Sequence, residues 1–205
     1  KFAKDVTGAN IERLENAVIA LKDSEYIYEF AKKVKGANIA KLEDAMMYFD
    51  FESYFYKFAN EVRGANISKF ENKLIESKDA KKIYNFAKYV KNANIEKLEN
   101  AVIKIGNPQI IYLFAMSVKG AYVGKLAHAI IALKDAKYIY LFARKIIELS
   151  IQSIGTSSQN IIDLTIAIID TKNIEYITSF MYLPETKQIY LGTKTCFSLL
   201  SEFLD

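Results

Sequence analysis

Cysteine, proline, tryptophan and histidine are almost missing from this chain of 205 residues. It has one Cys (Cys196), two Pro (Pro108 and Pro184), no Trp and one His, His128. A single thiol excludes an internal disulfide and fits a reducing compartment such as the cytoplasm. A lone His without a Cys cluster offers no metal-ligand spacing, and no Ser or Cys motif accompanies it. Neither a metal centre nor acid–base or nucleophilic catalysis is therefore expected. No glycine-rich phosphate loop is present, so no cofactor and no small-molecule substrate are expected. No apolar run approaches the roughly 18 to 20 residues that cross a bilayer, and no secretory segment opens the chain. Arginine is scarce at three residues, Arg13, Arg63 and Arg144. That scarcity argues against base-specific readout in a major groove, where bidentate Arg contacts dominate.

What is abundant points to an ordered helical protein. Hydrophobic residues make up 51% of the chain, with only 8 Gly. Net charge is +4 and uneven: residues 1–145 carry 25 basic and 17 acidic side chains, residues 146–205 carry 3 and 7. Lys, Ile, Asn and Tyr are abundant, a bias that suggests an AT-rich genome, so part of the positive charge is expected to reflect codon usage. A basic stretch with an acidic end suits an acidic protein or a nucleic acid.

Phe2, Phe30, Phe58, Phe86, Phe114 and Phe142 recur every 28 residues, and most of the chain repeats with them. A fixed period of this size signals an array whose units bury their apolar faces against neighbours. The spacing predicts two short helices per unit. Ile11, Leu14, Ala17, Val18 and Leu21 make one stripe on helix A; Ile27, Phe30, Ala31 and Val34 make one on helix B. Asp23, Asp79, Asn107, Asp135 and Asn173 stand where helix B needs an N-cap. Pro108 follows Asn107 at the first helical position, which favours Pro. Gly8, Gly36, Gly64, Asn92 and Gly120 stand where it needs a left-handed end. Asn10, Asn38, Asn66 and Asn94, with Tyr122 fifth, are placed to cap helix A or to bond between units.

The expected fold is therefore all-α, a solenoid of stacked two-helix repeats. In architecture it resembles the HEAT, tetratricopeptide and Pumilio-type class, whose periods are longer, and the resemblance implies a binding role. The regular array covers 1–147; 148–205 forms a divergent repeat and a capping segment. The repeat is interrupted at Ser150–Gln159 by ten extra residues, read as a bent connector or a functional loop. Helices are expected near 160–171 and 174–182, the second stopped by Pro184. A final amphipathic helix carrying Phe197, Leu200 and Leu204 closes the stack. Because the chain begins inside a repeat without Met, further residues upstream are expected.

Comparing equivalent positions separates constant from varied surfaces. Tyr28, Tyr56, Tyr84, Tyr112 and Tyr140 occupy one place on helix B. Four and seven residues on stand Lys32, Lys88 and Arg144, and Lys35, Arg63, Lys91 and Lys119. Stacked, these columns make a ladder that could follow a phosphate backbone while the rings stack on bases. The competing account packs the rings between units. A second helix B face varies and holds Tyr54, Lys57, Lys82, Asn85, Tyr89, Ile110, Leu113, Tyr138 and Leu141. Ile110, Leu113, Tyr138 and Leu141 would form an exposed apolar patch, the usual mark of protein contact. Glu15, Glu43, Glu71 and Glu99, beside Arg13, Lys41, Lys69, Lys97 and Lys125, read as weak exposed ion pairs on helix A.

The expected function is a non-enzymatic scaffold that engages a protein partner through the variable face. The alternatives are sequence-nonspecific nucleic-acid binding through the ladder, and inhibition of one macromolecular target.

Overall fold

The computed structural model describes residues 10–49, 53–152, 158–183, 190–191 and 194–195. By its contacts the chain forms two compact units, residues 1–101 and 102–205. The first holds α1 (Ile11–Ala20), α2 (Ser24–Lys33), α3 (Ile39–Met46), α4 (Ser53–Glu61), α5 (Ile67–Glu76), α6 (Ala80–Tyr89) and the start of α7 (Ile95–Ile105). The second holds the end of α7, then α8 (Pro108–Ser117), α9 (Val123–Leu133), α10 (Ala136–Gln152), α11 (Ser158–Asp170) and α12 (Ile174–Met181). A two-residue antiparallel pair follows, β1 (Tyr190–Leu191) with β2 (Lys194–Thr195), which the repeat pattern did not foresee. Odd-numbered helices are helix A of the repeat and even-numbered ones helix B.

Packing joins each helix to its neighbours in sequence. In the first unit α2 packs on α1, α3 and α4, and α1 reaches α3; in the second, α10 packs on α8, α9, α11 and α12. Helices of roughly ten residues are marginal alone and gain their stability from such contacts. The phenylalanine column is the core of both units. Phe30, Phe58, Phe86, Phe114 and Phe142 are buried, and Phe180 takes the sixth place once the ten extra residues are counted. The helix A stripe is narrower than its spacing implied. Val18 is buried, but Leu21 is 57% exposed and Ala17 is also open.

Helix ends follow the expected chemistry. Asp23 accepts from the N–H of Glu25, Asp79 from Lys82, Asn107 from Ile110, Asp135 from Tyr138 and Asn173 from Tyr176. After helix B, Gly36, Gly64 and Gly120 have φ of 85°, 91° and 88°, and Asn92 has 60°. A second left-handed column, at the end of helix A, escaped the sequence reading because lysine does not advertise it. Lys22, Lys78, Lys134 and Lys172 have φ between 51° and 56°, and Gly106 holds the same place at 75°. A Cβ in this region costs roughly 1 to 2 kcal/mol. Lys78→Gly is expected to raise stability by about 0.5 kcal/mol or more in urea unfolding, the entropy of glycine offsetting part of the relief.

The helix A glutamates overturn the expectation of weak exposed ion pairs. Glu15, Glu43, Glu71 and Glu99 are only 1–3% exposed. The N–H of Asn38 donates to Glu15 Oε1, that of Asn66 to Glu43 and that of Asn94 to Glu71, each at 2.6 Å. The same asparagines accept through Oδ1 from the N–H of Lys41, Lys69 and Lys97. The three ammonium groups lie 3.6, 3.8 and 3.2 Å from the glutamates. Glu15, Glu43 and Glu71 therefore each meet the N–H of the asparagine that caps the next helix A. Tyr122, fifth in the asparagine column, makes no side-chain cap.

The last clasp is inverted. Ala127 replaces the glutamate, Asp163 stands where earlier repeats have Lys, and His128 takes the Asn or Asp position. His128 Nε2 lies 3.5 Å from Asp163, and its Nδ1 is 2.7 Å from the carbonyl of Gly124. Where Gly ends helix B elsewhere, the equivalent position here is Glu148, and α10 runs on to Gln152. The first part of the insertion is thus helix, and the rest to 157 lies outside the described residues. So does the closing helix expected at Phe197, Leu200 and Leu204.

Candidate functional site

The tyrosine ladder is closed on its ring side. Tyr28 and Tyr84 are buried at 4% and 8% exposure, and Tyr56, Tyr112 and Tyr140 are half-buried. Tyr28 donates its hydroxyl proton to Glu61 Oε2 at 2.5 Å and accepts from Lys32 Nζ at 2.8 Å; Lys32 also reaches Glu61 at 2.6 Å. Burial, and then the Glu61 carboxylate, push the Tyr28 hydroxyl up. The Lys32 hydrogen bond holds Glu61 below the usual carboxylate range, and the same bond raises Lys32. Lys88 donates to the Tyr84 hydroxyl at 3.2 Å. These rings are packing pieces with satisfied hydroxyls, so Tyr28 and Tyr84 are not available as a base-stacking platform.

The cations of the ladder divide into two groups. Lys32 is held by Glu61, and Arg144 by Glu148 at 3.1 Å. Lys35, Arg63, Lys91 and Lys119 are exposed and pair with no described carboxylate. Asn60, which breaks the lysine column, has a structural reason. Its side chain donates to the Tyr89 carbonyl at 2.9 Å and accepts from the Lys91 N–H at 2.7 Å, closing the end of α6.

The variable face is not separate from the constant one. Tyr28 rests on Tyr54 at 5.7 Å, Tyr56 on Tyr89 at 6.4 Å, and Tyr112 on Tyr138 at 6.2 Å. A constant ring of one helix B thus meets a varied residue of the next. In the first unit Lys57 and Tyr89 are exposed, while Tyr54, Lys82 and Asn85 are half-buried. Lys57 Nζ sits 4.6 Å over the Tyr54 ring, and Lys88 Nζ sits 5.4 Å over Tyr89, which is 56% exposed. A hydrogen bond to Glu25 raises the Tyr54 hydroxyl, and burial raises that of Tyr56, which bonds Asn85. Lys82 is half-buried and reaches Asp79 at 4.0 Å.

In the second unit the expected apolar patch does not open. Ile110 is 7% exposed and belongs to the core, while Leu113, Tyr138 and Leu141 are half-buried. The reason is local: α8 is apolar around most of its circumference and packs on both α9 and α10. Ile110 and Ile111 are consequently buried together.

Among the described residues no group of three His, Cys, Asp or Glu is placed to hold a metal ion, and no helix is long and apolar enough to cross a membrane. No protein-family model matches the chain, and no curated protein or solved structure matches it.

Proposed function

We propose that this chain is a binding scaffold of the α-solenoid class, without catalysis, that engages a protein partner through the helix B edges of its first unit. The observation that carries this reading is the cluster on α4 and α6. There Tyr54 and Tyr89 lie beneath the ammonium groups of Lys57 and Lys88, with Asn85 and Lys82 alongside. Rigid aromatic anchors beside cations are the composition of binding hot spots, and the positive charge favours an acidic partner surface. A reducing compartment such as the cytoplasm fits the single thiol.

The exposed Lys35, Arg63 and Lys91 support a second reading, in which the same first-unit edge follows a phosphate backbone without using the rings. One experiment separates the two. Tyr89→Ala with Lys57→Ala removes exposed groups, so folding should be unchanged by far-UV circular dichroism. Affinity for a partner captured from the native source should fall by roughly tenfold or more. Unchanged capture would remove this face from consideration. Binding of single-stranded RNA or DNA that weakens steeply with salt would put the second reading first.

A further inference from the structure

The pentapeptide Ile-Ala-Leu-Lys-Asp occurs twice, at 19–23 and 131–135, while the intervening repeats read differently at that place. In both copies it closes a helix A, α1 in the first unit and α9 in the second, and in both the lysine is left-handed. A groove opens beside each copy. The first, about 540 Å³, lies between Ile19 and Lys22 on one wall and Ala45 and Tyr48, at the end of α3, on the other. The second, about 470 Å³, lies between Ile131 and Lys134 on one wall and Ala167 and Lys172, at the end of α11, on the other. Ala45 and Ala167 hold the same repeat position once the ten extra residues are counted. The same groove is built once in each unit.

Its floor is apolar. Ile19 and Ile131 are half-buried, as are Met47, Ile75, Ile103 and Ile169 in the same column, so every helix A leaves this position partly open. Beside the grooves, Leu21 and Leu133 are 57% and 39% exposed. The rim is cationic. Lys22, Lys134 and Lys172 pair with no described carboxylate, and Asp44 of the first groove is already held by Lys69 at 2.6 Å. The second groove is lined by Asp170 together with Lys134 and Lys172. Gly106 demonstrates that this turn accepts glycine, yet four turns keep a lysine in the strained region. Strain retained at an exposed charge is the sign of a charge that is used.

We infer that each groove docks one acidic linear segment of a partner protein. A Leu or Phe side chain of that segment lies on the Ile19 or Ile131 floor, and its flanking carboxylates meet Lys22 or Lys134. Negative charge opposite the unpaired rim lysines supplies the orientation, and the apolar floor supplies the burial. Neither Tyr54 nor Tyr89 lines either groove, and the inference does not rest on the reading of that face.

The test uses the full chain, isotope-labelled for NMR, titrated with a probe peptide in which Glu alternates with Leu and Phe. Two peptides should bind per chain, shifting the amides of 19–22 and Ala45 and those of 131–134 and Ala167. Lys22→Gly should weaken the first groove and Lys134→Gly the second, each by roughly fivefold. Both variants should gain thermal stability, which a purely structural lysine would not combine with weaker binding. The inference is overturned if a peptide with Ser in place of Leu and Phe binds as well, or if the glycine variants bind unchanged. Shifts confined to Tyr54 and Tyr89, shifts that appear with protein concentration alone, or stronger shifts with single-stranded RNA would equally overturn it.

Discussion

Glu71→Ala is expected to destabilise the first unit by about 3 kcal/mol, because it strips a buried acceptor from two donors at once. Glu71 is 1% exposed, accepts from the Asn94 N–H at 2.6 Å and takes the Lys97 ammonium at 3.2 Å. Without the carboxylate, the Asn94 N–H just before α7 loses its acceptor, and Lys97 keeps Asn72, at 2.8 Å. Glu71→Gln retains an acceptor oxygen and should cost nearer 1 kcal/mol, since a neutral bond replaces a charge-assisted one. Urea unfolding followed by circular dichroism reads both. Equal losses for Ala and Gln would mean that the charge, and not the hydrogen bond to the next helix, matters. A loss below about 0.5 kcal/mol for Ala, the range of ordinary surface substitutions, would refute the clasp.

Ile110→Asp is expected to be the most damaging substitution on helix B, costing about 4 kcal/mol or more. The side chain is 7% exposed, and it sits beside Ile111 on a helix covered by two others. Aspartate there must shed its hydration in an apolar site. Leu113→Asp, one turn on and half-buried, should cost much less. Spacing alone put both residues on one open face; the burial of Ile110 reverses that for one of them. If Ile110→Asp unfolds with an unchanged midpoint, residue 110 is exposed in solution and the apolar patch regains its place.

These two cases mark where reading the chain worked and where it did not. Helix boundaries were legible because caps are local: Asp23 or Asn107 acts on N–H groups two or three residues away. The phenylalanine core was legible because Phe30 to Phe142 recur on one stripe of one helix. The restored register at Asn160 held as well, with Phe180 buried at the far side of the insertion. The candidate surface was legible only in part. Lys57 and Tyr89 stayed open and Tyr54 half-buried, whereas Ile110 went into the core and Tyr28 and Tyr84 turned inward. Asn60 stands among lysines for a reason that spacing does not carry, since its partners are the Tyr89 carbonyl and the Lys91 N–H at the end of the next helix B. His128 looked like an isolated exception until Asp163 appeared opposite it in the place of a lysine.

A 28-residue period, the caps and the apolar stripes were enough to determine a chain of short paired helices and the residues that cap helix B. Those features depend on contacts within a turn or two of helix, which sequence spacing encodes directly. The tertiary structure alone decided which repeating columns lie open and which are shut. Every face of a repeated helix recurs with the same period, so periodicity cannot distinguish a solvated column from a buried one. Only the approach of the next helix does that, burying Glu71 beneath the start of α7 and leaving Tyr89 and Lys22 in water.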